Sequence, residues 1–134
     1  MIDKIAYKKA KELEVKKANR QQEEWITPTL LNGWEPLGES YLPQYRKTDF
    51  GVVEIRGTVK NGELGRPIFR LPEGYRVIST MMFIQHTGLL TNTKTCSVRV
   101  EHGYYWGDGY VTVLGADERG VSLDGISFVA RGGS

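Results

Sequence analysis

The run His102-Gly-Tyr-Tyr-Trp-Gly-Asp-Gly-Tyr110 gathers the side chains of this chain best suited to holding a sugar. Sugar rings present C–H faces that stack on aromatic rings, while carboxylates and imidazoles bond hydroxyls. Tyr104, Tyr105 and Trp106 stand between glycines, with His102 and Asp108 on either side. The competing reading is an aromatic hairpin whose alternate rings enter the core. It would bury Tyr104 and Trp106, because large aromatics are usually well buried, and leave Tyr105 and Asp108 outside. His86, before Thr87-Gly88, is a further ligand candidate. His86, His102, Glu101 and Asp108 are donor types that suit divalent cations. No H-x-x-x-H or similar spacing joins them, so no metal site is assigned.

Arg66, Arg70 and Arg76 flank the Leu71-Pro72 turn. Guanidinium forks hold phosphates through paired hydrogen bonds. Their alternative use is ion pairing with Glu63 and Glu73 on a solvated surface. The chain has no G-x-S-x-G, no phosphate-cradling glycine loop and no zincin motif. Glu101 and Asp108 could flank a glycosidic bond, but any chain of this length offers such acid pairs. The residues point to binding without catalysis and without a cofactor.

These groups need a scaffold, and the sequence changes character at Trp25. Residues 1–24 are charged, glycine-free and rich in Lys, Glu, Ala and Gln, which favour helix. Ile2, Ile5, Ala6, Ala10 and Leu13 share one stripe by three- and four-residue steps, and the stripe ends on polar Lys17 and Arg20. So little apolar surface makes a lone helix marginal. We therefore expect a helical stalk over 1–25 that associates with copies of itself as a coiled coil, with Ile2, Ile5, Ala6 and Leu13 in the seam. A helix that begins at Met1 also fits a piece cut from a longer fibre. Pro28 stops the helix. Trp25, Ile26, Leu30, Leu31 and Trp34 are too apolar for a free linker and should pack the stalk onto the head or onto a neighbouring chain.

Residues 26–134 read as the head domain. Strands are expected over 45–48, 52–59, 67–71, 76–85, 95–101, 110–114 and 121–130, with turns at Lys60-Asn-Gly-Glu, Pro72-Glu-Gly and Asp124-Gly125. Val53, Ile55, Gly57 and Val59 should share one face, opposite Val52, Glu54, Arg56 and Thr58. Short strands at this spacing predict a mainly β fold, an antiparallel jelly-roll-like sandwich. The single cysteine, Cys96, precludes an intrachain disulfide and alternates with Val98 and Val100 as a small buried residue does.

Charge and hydropathy narrow the partners. Residues 1–25 hold seven Lys/Arg and five Asp/Glu, and residues 26–134 hold eleven of each. The head thus lacks the basic excess of a nucleic-acid binder. No apolar run approaches the ~20 residues of a membrane span, and the helix lacks the apolar stripe of a membrane-surface segment.

Gly33-Trp34, the stretch from Tyr45 through Phe50-Gly-Val-Val-Glu-Ile-Arg-Gly-Thr-Val59, Ile68-Phe-Arg-Leu-Pro-Glu-Gly-Tyr-Arg76, and Val121-Ser-Leu-Asp-Gly-Ile-Ser-Phe128 occur in that order. In them the chain resembles the C-terminal head of tail-fibre and receptor-binding proteins from tailed phages and prophages of Gram-positive bacteria. The likeness covers most of Leu31 to Ala130. It implies a trimeric β-sandwich head below a coiled-coil neck, at the tail tip of a virion beside other tail proteins. The implied work is adhesion to cell-wall saccharide such as teichoic acid. The matched stretches are framework, so the resemblance assigns no ligand residue.

Overall fold

A computed structural model describes residues 23–88, 94–103, 106–115 and 120–132. The seam residues Ile2, Ile5, Ala6 and Leu13, like Tyr104 and Tyr105 of the aromatic run, lie outside the described residues. What is described is mainly β. Ten strands follow one another: β1 (Glu35–Pro36), β2 (Gln44–Lys47), β3 (Val52–Arg56), β4 (Thr58–Lys60), β5 (Pro67–Arg70), β6 (Met81–His86), β7 (Thr95–Val100), β8 (Tyr110–Leu114), β9 (Val121–Ser122) and β10 (Ile126–Val129). The only helical turn among the described residues is the short 3-10 segment Glu39–Tyr41.

All pairings are antiparallel and build three sheets, in the orders β1-β4-β9, β10-β3-β2 and β5-β8-β7-β6. Their inward side chains meet in one buried cluster that includes Val53, Ile55, Phe69, Leu71, Val98, Val111, Leu123 and Ile126. Alternation explains the burial. Val53 and Ile55 are buried while Glu54 is half-buried and Arg56 exposed.

The expected strand 52–59 is broken at Gly57. There φ is +110°, and a Cβ would stand 2.4 Å from the Leu42 carbonyl oxygen, so only glycine fits. Across from it, the expected turn at Asp124-Gly125 is present between β9 and β10. Asp124 accepts from the Gly57 N–H at 2.8 Å, and Leu123 N–H donates to the Gly57 carbonyl at 2.8 Å. The chain therefore passes from one sheet to another at Gly57 on one strand and at Asp124 on its partner. Beyond the break Thr58 is buried, against the expected polar face.

The expected strand 76–85 shrinks to β6. Val77 keeps only an isolated bridge to Ala130. The apolar centre of β6 is not core. Met82 is 58% exposed and Ile84 78%, because β6 is the edge of its sheet and no described element covers that face.

The segment preceding the head is bound to it. Residues 23–25 are not helical, which corrects the stalk boundary at its described end. Ile26 exchanges backbone hydrogen bonds with Tyr45 at 2.8 and 3.0 Å, which requires extended chain. The Trp25 ring takes the guanidinium of Arg56 at 3.9 Å and that of Arg46 at 4.4 Å, two cation–π contacts on the outer face of β2 and β3. Glu23 accepts from the Lys47 N–H and the Tyr75 hydroxyl. Trp34 enters the core, and Ile26 and Leu30 pack against it. Of the two expected uses of Trp25 and Ile26, packing onto the head or onto a neighbouring chain, the contacts described are with the head.

Candidate functional site

The loop joining β7 to β8 carries the aromatic run, and a buried carboxylate fixes its shape. Glu101 directly follows β7 and is fully buried. Its Oε1 accepts from the Trp106 N–H at 2.9 Å and its Oε2 from the Thr112 hydroxyl at 2.6 Å, with Arg99 Nη2 at 3.9 Å. Buried carboxylates persist when their lone pairs are satisfied in this way. The neck of the loop is closed by backbone bonds, Glu101 to Tyr110 and Gly109 to Glu101, each 2.9 Å. Gly109 is obligatory there. Its φ is +90°, and a Cβ would lie 2.6 Å from the Leu71 carbonyl oxygen. Glu101 is therefore neither metal ligand nor surface acid, because its oxygens already serve the loop.

Trp106 emerges from this clamp 46% exposed. It is not the core residue an alternating hairpin requires, since the clamp turns it onto the surface. Its indole N–H donates to the Gly65 carbonyl at 3.1 Å, and the Arg66 guanidinium lies 5.7 Å from the ring centre. Position and orientation of the ring are fixed while part of it stays open.

Asp108 collects three basic side chains. Its Oδ2 accepts from Arg131 Nη2 at 2.5 Å and Arg76 Nη1 at 3.3 Å, and its Oδ1 lies 3.3 Å from His102 Nδ1. Burial opposes ionisation of Asp108. Hydrogen bonds from Arg131, His102 and Arg76 outweigh it and hold the carboxyl below its usual range. His102 Nδ1 also stands 2.6 Å from Arg131 Nη1. A guanidinium only donates, so neutral His102 accepts from Arg131, and a proton on Nδ1 turns that nitrogen toward Asp108 instead.

The three arginines near Leu71-Pro72 divide. Arg76 is structural, bonding the Leu71 carbonyl at 2.8 Å as well as Asp108. Arg66 pairs with Glu63 at 2.9 Å in the open, a contact of little energetic weight. Arg70 donates from Nε to the Asp108 carbonyl at 2.9 Å and stacks 4.8 Å from the centre of the Tyr110 ring.

His102 and Asp108 are in contact, while Trp106, on the same loop, turns its indole toward Gly65 and Arg66 at the other end of β5 from Arg70. His86 does not join His102. It pairs with Thr95 at the far end of β6, whereas Thr80, next to the near end, bonds the His102 N–H. The length of the strand separates the two histidines, roughly 17 Å at ~3.4 Å per residue. Among the described residues no three metal-binding side chains converge. Cys96 is buried, and burial pushes its thiol up.

Arg131 is the functional candidate that sequence reasoning missed. It sits beyond the last strand, and only the pairing of Val77 with Ala130 and of Arg131 N–H with the Arg76 carbonyl, at 2.7 Å, carries it to Asp108. No protein-family model matches the chain, and no curated protein or solved structure matches it.

Proposed function

We infer that this protein is a non-catalytic adhesin head, a phage tail receptor-binding module that recognises a bacterial cell-wall saccharide. The observation that carries the reading is the half-open Trp106 ring, held by Gly65, on the same loop as the Asp108–Arg131–His102 group. An immobilised indole offers a stacking face at low entropic cost, and the polar group offers both donors and acceptors to hydroxyls. The resemblance in the strand framework adds the tail-tip setting, a jelly-roll-like sandwich and a trimer on a coiled-coil neck. One buried cluster fed by all three sheets is compatible with a sandwich. Three weak sites on one axis would gain from effective concentration.

A second reading, a structural tail module that docks on other virion proteins, is favoured by one observation. Met82 and Ile84 expose apolar surface on the edge strand β6. Incubating the full chain with purified Gram-positive cell walls separates these readings. The adhesin reading expects retention on the walls and no new reducing ends. Absence of retention removes it, and release of reducing ends makes the protein a glycan-cleaving enzyme.

A further inference from the structure

The segment that ties the stalk side to the head forms one wall of a cleft that the aromatic loop does not include. The cleft, ≈ 420 Å³, lies between residues 27–31 and the stretch 70–76. That is a size suited to one sugar unit with a substituent. Pro28, Leu31 and Pro72 give it a stiff apolar lining, and Arg70 and Arg76 supply its charge. Among its described lining residues there is no carboxylate. By contrast, a second depression of ≈ 510 Å³ sets Glu39 and Asp124 against its Arg56 and has no such bias.

The state of Arg70 is the telling detail. Its Nε bond to the Asp108 carbonyl and its stacking on Tyr110 fix the guanidinium plane. No described residue accepts from its two terminal nitrogens. Those are the donors that form a paired contact with phosphate or carboxylate, and a pre-positioned fork loses little freedom in doing so. The neighbourhood is electropositive as well. Arg70, Arg76 and Arg131 surround Asp108, and with Glu73 of the 70–76 stretch the local balance is three positive charges to two negative. Fields of this kind concentrate anions.

We propose that this cleft is an anion subsite of the receptor site, in which Arg70 binds the phosphate or carboxylate of an acidic saccharide while the residue 27–31 segment contacts the sugar body. The subsite rests on the adhesin reading and extends it. The ligand class becomes acidic glycan, and the junction becomes a binding wall as well as a tether. Arg70 is common to the cleft and to the Asp108 group, so the anion subsite adjoins that group.

The test is an amide-shift titration of the full chain with glycerol 3-phosphate and with glucuronate, using glycerol and glucose as uncharged controls. The subsite predicts shifts at Thr27, Thr29, Leu31 and Arg70 for at least one anion and none for the controls. The responding anion identifies phosphate or carboxylate as the recognised group. Arg70→Gln should weaken that anion at least ten-fold, with Arg70→Lys between, because it keeps the charge and loses the fork. Equal response to the uncharged controls, or unchanged affinity in Arg70→Gln, overturns the subsite. If Trp106 responds to wall glycan while the cleft ignores both anions, only the subsite falls. If the cleft takes an anion while no glycan binds the chain, the subsite stands as an anion site and the adhesin reading falls.

Discussion

One face of the four-stranded sheet contrasts in burial between its inner strands, β8 and β7, and its edge, β6, where exposed Met82 stands directly opposite buried Arg99. On the inner side, Glu101 and Thr112 are fully buried and Arg99 nearly so. At the edge strand, Met82 and Ile84 face solvent. Hydropathy alone would assign them the other way round. What decides is the chain that folds above each part. The loop closes over the polar group and satisfies it through the Trp106 N–H, whereas no described segment crosses β6. Buried polar side chains with matched partners hold a geometry, and exposed apolar ones hold none.

The largest test of that contrast is Glu101→Leu. It strands the Thr112 hydroxyl and the Trp106 N–H and removes the carboxylate 3.9 Å from Arg99, and should cost about 3 kcal/mol in denaturant unfolding. Trp106 fluorescence should shift to that of a mobile surface indole. A loss below ~1 kcal/mol would mean that the carboxylate does not organise the loop.

Gly109→Ala follows, at about 2 kcal/mol, because it combines a left-handed backbone with a collision at the Leu71 carbonyl.

Acid titration sharpens the comparison next. The folded-state pKa of Asp108 is depressed, so its contribution is present above the ordinary carboxylate range and is lost as pH falls through the depressed value. Wild type should lose stability below pH ~4 relative to Asp108→Asn, and the two curves should converge in stronger acid. At the alkaline end the Tyr75 hydroxyl, pushed up to about 12 by burial and by its bond to Glu23, makes the opposite contribution. That stability is complete below the ordinary tyrosine pKa and declines as pH rises toward 12, and Glu23→Gln, by removing one cause of the raised pKa, should make the decline smaller without moving its onset.

The smallest effect belongs to the edge strand. Ile84→Ser should change stability by less than ~0.5 kcal/mol, since it deletes exposed surface. A cost of several times that would reveal a cover over β6.

Much of the framework was legible because alternation at Val53 and Ile55, and at Cys96, Val98 and Val100, is a local property of strands. The Asp124-Gly125 turn was legible from its residue types. The break at Gly57 was not, since it follows from the approach of Leu42, fifteen positions away. The exposure of Met82 and Ile84 was hidden because an apolar run reads as core whether its strand is central or at an edge. In the site, His102, Trp106 and Asp108 were visible from side-chain chemistry. Arg131, the buried role of Glu101 and the cleft beside Arg70 depend on contacts between distant segments.

The central claim is that the clamped loop, and not the apolar edge, meets the partner. Equilibrium binding of the full chain to purified Gram-positive cell-wall saccharide, compared across wild type, Trp106→Ala and Ile84→Ser, tests it most directly. We predict at least a ten-fold loss for Trp106→Ala and wild-type affinity for Ile84→Ser. Wild-type affinity in Trp106→Ala, with binding lost in Ile84→Ser, would contradict it.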